Sequence, residues 1–327
     1  MNKSTRILLG CIVVIALLVV GYRYLDNLLF DGIRPTPIHE QEFQASFFAK
    51  SDIEHRPAVV VIGGGAWGDY WAQELAKANY VGLSLPYCCQ DELPSLPEEI
   101  PLEYFQDAVH WLKQQPEVNP DQIVVMGASR NAELALVIAS YLPESIHGAI
   151  AFCPSSVSWS NTVLPYNSDA VKPSWTLDNE PIPFIPMDKY QGGESDTLET
   201  LSYWTEALQD SQAVNFAAIP VENIQGPILL FSGLDDQVWP SFMMSEMIEE
   251  RLNAHNFGFS IDNIQYLQAG HLISGNPNHL MHTRYGSMQI GGKTYAHPFG
   301  GTAEGDQGAQ QDAHHRVMGY FAKLSNE

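Results

Sequence analysis

Residues Ile123 to Ile138 read IVVMGASRNAELALVI, and the fold follows from how this stretch changes character along its length. Ile123-Val124-Val125-Met126 is an unbroken apolar run with two β-branched valines, which suits a strand buried on both faces. Gly127-Ala128-Ser129-Arg130-Asn131 follows, and from Ala132 to Ala139 the residues are good helix formers. Strand, tight turn with a serine at its apex, helix: this is the context of a nucleophile elbow, which lifts a side-chain oxygen above the end of a parallel sheet. The helix N-terminus beneath it leaves free N–H groups and a positive dipole end where an oxyanion would form. Taken alone the pattern also fits a structural serine, so the rest of the chain decides.

On either side of this stretch, strands alternate with helices. Ala58 to Ile62 is a buried-type strand ending in Gly63-Gly64-Gly65, a helix is expected from about Asp69 to Ala78, and Tyr80 to Tyr87 forms a second strand. Tyr104, Ala108, Trp111 and Leu112 fall at helical spacing. After the elbow, Gly148 to Phe152 and Pro227 to Phe231 are strands, with helices expected from about Ser241 to Ala254 and Gln311 to Leu324. This alternation predicts an α/β fold, a mainly parallel sheet with helices on both faces. Between 154 and 220 it stops. That segment is rich in Pro, Ser, Asn and Trp, and it is expected to form a lid-like excursion over the strand ends.

Two later motifs supply what a serine nucleophile needs. Gly233-Leu234-Asp235-Asp236 follows one strand, and Ala269-Gly270-His271 follows the next. The order Ser129, Asp236, His271 is that of the α/β-hydrolase fold. A hydroxyl attacks poorly until a base takes its proton, and the imidazole base needs a carboxylate to fix its tautomer. Asp236 is the expected partner, with Asp235 a turn or supporting residue. Gly64 and Gly65 stand where one oxyanion donor would arise, since glycine lets the backbone approach a substrate, and the Arg130 amide is the other candidate. Gly63, Gly65 and Gly68 also satisfy a dinucleotide fingerprint. That reading wants an acidic residue closing the next strand, where Leu85-Pro86-Tyr87 stands, and it leaves the three polar residues unexplained. No cofactor is therefore expected, and no Cys/His spacing suggests a metal.

Composition and termini bound the rest. With 327 residues and 45% apolar composition, the chain can build one large domain. A net charge of −22 without a basic block argues against nucleic-acid partners. Four cysteines do not make a disulfide framework in a chain of this size; Cys88 and Cys89 are adjacent, and Cys153 reads as a small buried hydrophobe. Ile7 to Tyr22 is apolar throughout, with Lys3 and Arg6 ahead and Arg23 behind. It is close to the roughly 20 residues of a spanning helix and has no good cleavage site, so residues 1–27 are expected to be an uncleaved single-pass membrane anchor. Its cationic start would stay cytoplasmic and place the catalytic part on the far side. Residues 28–57 read as a linker, and 58–327 as the catalytic domain.

From about Ala58 onward the sequence resembles the catalytic domain shared by acyl-CoA thioester hydrolases and bile acid-CoA:amino acid N-acyltransferases. The likeness rests on IGGG (Ile62 to Gly65), LPYCCQDELP (Leu85 to Pro94), GASRNAELAL (Gly127 to Leu136), GLDDQVWPS (Gly233 to Ser241), AGHLI (Ala269 to Ile273) and FGGTAEGDQGAQQDA (Phe299 to Ala313). It implies a Ser129–Asp236–His271 triad and an acyl thioester or ester substrate. The family's amino-acid transferases carry cysteine at the elbow, so serine points to water as acceptor rather than an amine or alcohol. Two departures stand out. An apolar N-terminal run replaces the family's usual β-sandwich, and Asn131 occupies the position of a family glycine, which leaves a non-catalytic binding domain as the competing expectation. An exported domain would also meet no CoA, and would need another thioester or an ester.

Overall fold

The computed structural model describes residues 3–29, 32–40 and 42–326. The chain divides into two compact units, Met1–Arg34 and Pro35–Glu327. The first contains helix α1 (Lys3–Leu29), formed where the apolar run predicts a helix. From Cys11 to Leu25 its side chains are exposed, whichever face they lie on. Among the described residues no helix is long and apolar enough to cross a membrane, so the expected spanning anchor finds no support there. Positions 1 and 2, at its start, and 30, 31 and 41, within the expected linker, lie outside the described residues.

The second unit is organised by an eight-stranded sheet. Its strands are β1 (Thr36–His39), β2 (Gln44–Phe48), β3 (Arg56–Ile62), β4 (Val81–Leu85), β5 (Val118–Ala128), β6 (Ala149–Phe152), β7 (Ile228–Gly233) and β8 (Ile261–Tyr266). They lie in the order β1-β2-β4-β3-β5-β6-β7-β8. All pairs from β4 to β8 are parallel, while β1–β2 and β2–β4 are antiparallel. That is the strand order of an α/β-hydrolase sheet. The expected linker is corrected here: Thr36–His39 and Gln44–Phe48 pair at the sheet edge, and Ile38, Phe43, Ala45, Phe47 and Phe48 are buried. Short strands with polar residues between them carry too little periodic signal to separate an edge hairpin from a linker.

Side-chain alternation along the strands builds two cores. Ala58, Val60, Ile62, Ile123 and Val125 join one cluster with Phe105 and Leu112 of α3 (Leu102–Lys113), Leu134 and Ile138 of α4 (Arg130–Tyr141) and Ile248 of α7 (Ser241–Ala254). On the opposite face Trp71 of α2 (Gly65–Lys77) stands against Phe152 and stacks on His314 of α8 (Ala303–Leu324), and Phe152, Phe231 and Tyr266 stack across β6, β7 and β8. Helices therefore cover both faces, as the continuous apolar strands require.

The excursion is a packed layer in its own right. Trp159, Val163, Ile185, Trp204 and Trp239 form a separate buried cluster, supported by the short helices α5 (Leu201–Ala207) and α6 (Ser211–Ala217). The glycine-rich stretch after His271 is an antiparallel hairpin, Tyr285–Ile290 paired with Lys293–Pro298. Tyr295 and Ile290 of that hairpin pack on Leu164 and Leu198 of the excursion.

Candidate active site

Ser129 sits between the end of β5 and the first turn of α4 with φ 57° and ψ −127°, a conformation that costs free energy in any residue but glycine. Its neighbours hold it there. The Ser129 N–H donates to Phe152 O at 2.8 Å, and its carbonyl accepts from Ala132 N at 2.8 Å and Glu133 N at 3.1 Å. At Gly127 a Cβ would lie 2.0 Å from the Asn131 carbonyl, so the turn closes only around a glycine. Asn131, the departure from the family pattern, is accommodated: its amide lies over Gly63, where a Cβ would come within 2.1 Å, and its Oδ1 accepts from the Tyr87 hydroxyl at 2.8 Å.

The Asp236 carboxylate is buried and accepts four donors. Oδ1 receives the Val238 and Trp239 amides at 2.9 and 3.3 Å, and Oδ2 receives the Ser241 hydroxyl at 2.6 Å and His271 Nδ1 at 2.9 Å. With Nδ1–H committed to Asp236, His271 keeps Nε2 as its proton acceptor. Asp235 faces elsewhere: it accepts from Gly301 N and from the Gln237 amide, and so pins the segment after the hairpin. Of the two adjacent aspartates, Asp236 is the one whose carboxylate meets His271.

His271 and Ser129 line one cavity of about 260 Å³. Its walls are chiefly apolar, from Leu164, Pro165, Trp204, Val238, Met288 and Phe299. The two motifs on successive strands and the elbow thus converge at one rim, with the excursion on one side and the hairpin on the other. Of the three expected oxyanion donors, Arg130 lines this cavity; its amide is the first of α4 and has no carbonyl one turn earlier in the helix. Gly64 and Gly65 are not among the lining residues. Gly64 is pressed against Pro86, and Gly65 borders a neighbouring groove with Ser84 and Gln90. Gly68, third of the fingerprint glycines, is a packing residue against Ser84.

Several residues around the site escaped the sequence reading. The Arg130 side chain is buried in an ion pair with fully buried Glu133, donates to Ser174 Oγ at 2.7 Å and lies 5.5 Å from the centre of the Trp175 ring. Glu133 in turn accepts from Ser158 Oγ, Trp159 N and Trp175 Nε1, so the first turn after the nucleophile clamps the excursion. Burial raises the Glu133 carboxyl above its ordinary range, against the pull of Arg130. His297 of the hairpin is a second imidazole on the cavity wall, and burial, with the nearby His271, lowers its pKa. Only i, i+3 spacing of Arg130 and Glu133 hinted at the clamp, and a surface pair would look the same.

Cys153, Asp236 and His271 have donor atoms within 4.8 Å of one another, the one group among the described residues that could hold a metal ion. Burial and then the Asp236 charge push the Cys153 thiol well up, so it stays protonated, and the Asp236 oxygens are already engaged. Cys88 and Cys89 are bonded to each other rather than free, which no spacing argument anticipated.

Asp306 holds the histidine loop. It is buried, accepts from Gly270 N at 2.7 Å and pairs with Arg284. Asp306→Ala should strand both partners and destabilise the protein by about 1–3 kcal/mol, with a larger loss in kcat than in KM, because it is His271 that loses its support. Chemical denaturation together with steady-state kinetics checks both halves, and wild-type values for either would contradict this reading.

The family model described as BAAT / Acyl-CoA thioester hydrolase C terminal matches residues 100–327. Among curated proteins, the chain is 27% identical over 303 residues to human acyl-coenzyme A thioesterase 6, covering 92% of this chain and 68% of that protein. It is 29% identical over 294 residues to rat acyl-coenzyme A thioesterase 1, covering 89% and 65%. The chain thus spans about two thirds of the length of these relatives. Among solved structures, a Mycobacterium tuberculosis puromycin-hydrolyzing peptidase aligns with a TM-score of 0.54 at 12% identity, over 90% of this chain and 39% of that one. A dienelactone hydrolase-like promiscuous phosphotriesterase from metagenomic libraries aligns with a TM-score of 0.52 at 13% identity, over 90% and 99%. These two likenesses show the fold.

Proposed function

The chain belongs to the BAAT / acyl-CoA thioester hydrolase C-terminal family, and from that membership and the geometry of the cavity we propose that it hydrolyses acyl thioesters through an acyl-enzyme on Ser129. The observation that carries this is the 2.9 Å contact between His271 Nδ1 and Asp236, made by an imidazole that shares an apolar cavity with the elbow serine. His271 Nε2 takes the Ser129 proton as Oγ attacks the carbonyl carbon, and Asp236 steadies the imidazolium. The oxyanion is received by the Arg130 amide, with the Gly64–Gly65 loop as the source of a second donor once substrate is bound. The thiolate leaves with the proton from His271; water then attacks the acyl-enzyme by the same route in reverse. The apolar wall accepts the acyl chain. Simple esters fit the same chemistry and are expected as slower substrates.

The test is thiol release from a series of acyl-CoA esters by the purified chain, alongside labelling with a fluorophosphonate probe. Hydrolysis with the probe bound at Ser129 is the expected result. A chain that neither turns over any thioester nor takes the probe would be a binding domain instead.

For the N-terminal helix, we propose that it holds the catalytic unit at a membrane, with the N-terminus cytoplasmic. Ile12–Val20 is exposed and apolar all round, and a helix of that kind seeks an apolar surrounding. The chain should remain in the membrane fraction after alkaline carbonate extraction, and its catalytic unit should be cut by protease added to intact cells. Recovery in the soluble fraction would remove the proposal.

A further inference from the structure

The loop that follows β4, from Pro86 to Pro94, takes no part in the proposed chemistry, yet it touches the site from two sides. Pro86 lies against Gly64, so closely that a Cβ there would come within 2.8 Å of it. Tyr87 reaches Asn131, two residues beyond Ser129, through its 2.8 Å hydrogen bond. The next two residues are the bonded pair Cys88–Cys89. Cys88 is buried and Cys89 exposed, and Cys89 holds φ 66°, a region that residues with a Cβ avoid. Its N–H donates to Pro94 O at 2.7 Å, closing the loop behind it. A bond between adjacent cysteines adds no staple between distant segments. What it fixes is the peptide between them, and hence the exit direction of the chain that carries Pro86 and Tyr87.

We propose that Cys88–Cys89 is a thiol–disulfide exchange site for small or protein-borne dithiols, and that its redox state sets the geometry of the elbow through Tyr87–Asn131 and Pro86–Gly64. The attacking thiolate meets the sulfur of Cys89, the exposed residue of the pair; the S–S bond breaks and Cys88 leaves as a thiolate that takes up a proton. The second thiol of the dithiol then attacks the mixed disulfide, Cys89 is released and protonated, and the dithiol departs as its own disulfide. Two electrons have entered the protein and two thiols stand where the bond was. Reduction opens the small ring, and Cys89 can leave its positive φ. The free cysteines do not compete for this role: Cys153 is buried with its thiol held protonated, and Cys11 belongs to the N-terminal unit.

The experiment uses the full chain carrying Cys11→Ser, oxidised or treated with dithiothreitol and desalted. Phenylarsine oxide, which bridges two neighbouring thiols, is expected to bind the reduced native chain in one equivalent and the oxidised chain not at all. Amide hydrogen exchange across residues 86–94 and 127–133 is expected to quicken on reduction and to recover on reoxidation. The activity arm rests on the hydrolase reading: kcat on a chromogenic ester should fall roughly tenfold in the reduced state, a fraction of the loss seen when an oxyanion donor is removed. Cys88→Ser/Cys89→Ser should stay at the reduced-state value whatever the reductant. Unchanged exchange at 127–133 between the two states, or no arsenical bound after reduction, would overturn the proposal. Absence of turnover in both states would count against the hydrolase reading instead, because exchange and arsenical binding need no activity.

Discussion

Ser129→Ala is expected to lower kcat/KM on an acyl thioester by about 10⁵-fold or more, the scale of loss when a nucleophile that works as a unit with its base is removed. The fold should not follow. Ser129 is held by its backbone, through Phe152 O on one side and the Ala132 and Glu133 amides on the other, and none of these bonds uses the hydroxyl. Steady-state kinetics beside a thermal melt separates the two effects. Turnover near the wild-type rate in the alanine variant would take Ser129 out of the chemistry. Asp236→Asn sharpens the test, with an expected loss of about 10⁴-fold. Both carboxylate oxygens of Asp236 accept donors, so whichever position the amide NH2 takes, it confronts an N–H or O–H. Asp235→Asn, one residue away and with its carboxylate bonded to Gly301 and Gln237 instead, should leave the rate almost unchanged.

Glu133→Ala should be the most destabilising single change near the site, by about 3–5 kcal/mol, as expected when a buried pair loses one member. Arg130 would be left charged and 4% exposed, with its Nε already lacking a partner. Ser158, the Trp159 amide and the Trp175 indole would lose their acceptor in the same step. Because Arg130 lines the cavity, activity should drop as the clamp on the excursion loosens. Removing both charges together, as Arg130→Met with Glu133→Leu, should recover most of the stability, since neither ion then remains buried without its partner. Urea unfolding of the three chains decides it; a Glu133→Ala variant within about 1 kcal/mol of wild type would show that water reaches the pair and that the clamp carries little.

The parts of this protein that could be read along the chain are those whose cause is local. Apolar runs marked β3, β5, β6 and β7 because a doubly covered parallel strand needs continuous hydrophobicity. The elbow was legible because a sharp strand-to-helix turn demands small residues around its apex, and Asp236 and His271 because they end consecutive strands in the order the fold imposes. Reading failed where the partner lies far away. Residues 36–48 pass for a linker until Phe47 and Phe48 find the edge of β4. Gly65 reads as an oxyanion donor, yet it borders the groove lined by Pro86 and Gln90 rather than the cavity of Ser129 and His271, so it would donate only after its loop shifts. Asn131 looks like a defect in the elbow until Gly63 and Tyr87, distant in sequence, are seen to make room for it and bind it.

By itself the sequence determined the α/β class, the sheet's central strands, and the three polar residues of the proposed triad, because backbone propensity, side-chain period and chain order are all set within short windows. Only the tertiary structure decided that Arg130 and Glu133 clamp the excursion and that Cys88 bonds to Cys89 beside the elbow. Those outcomes depend on which side chains arrive together after the sheet has twisted and its helices have packed, and distances of that kind have no counterpart in residue order.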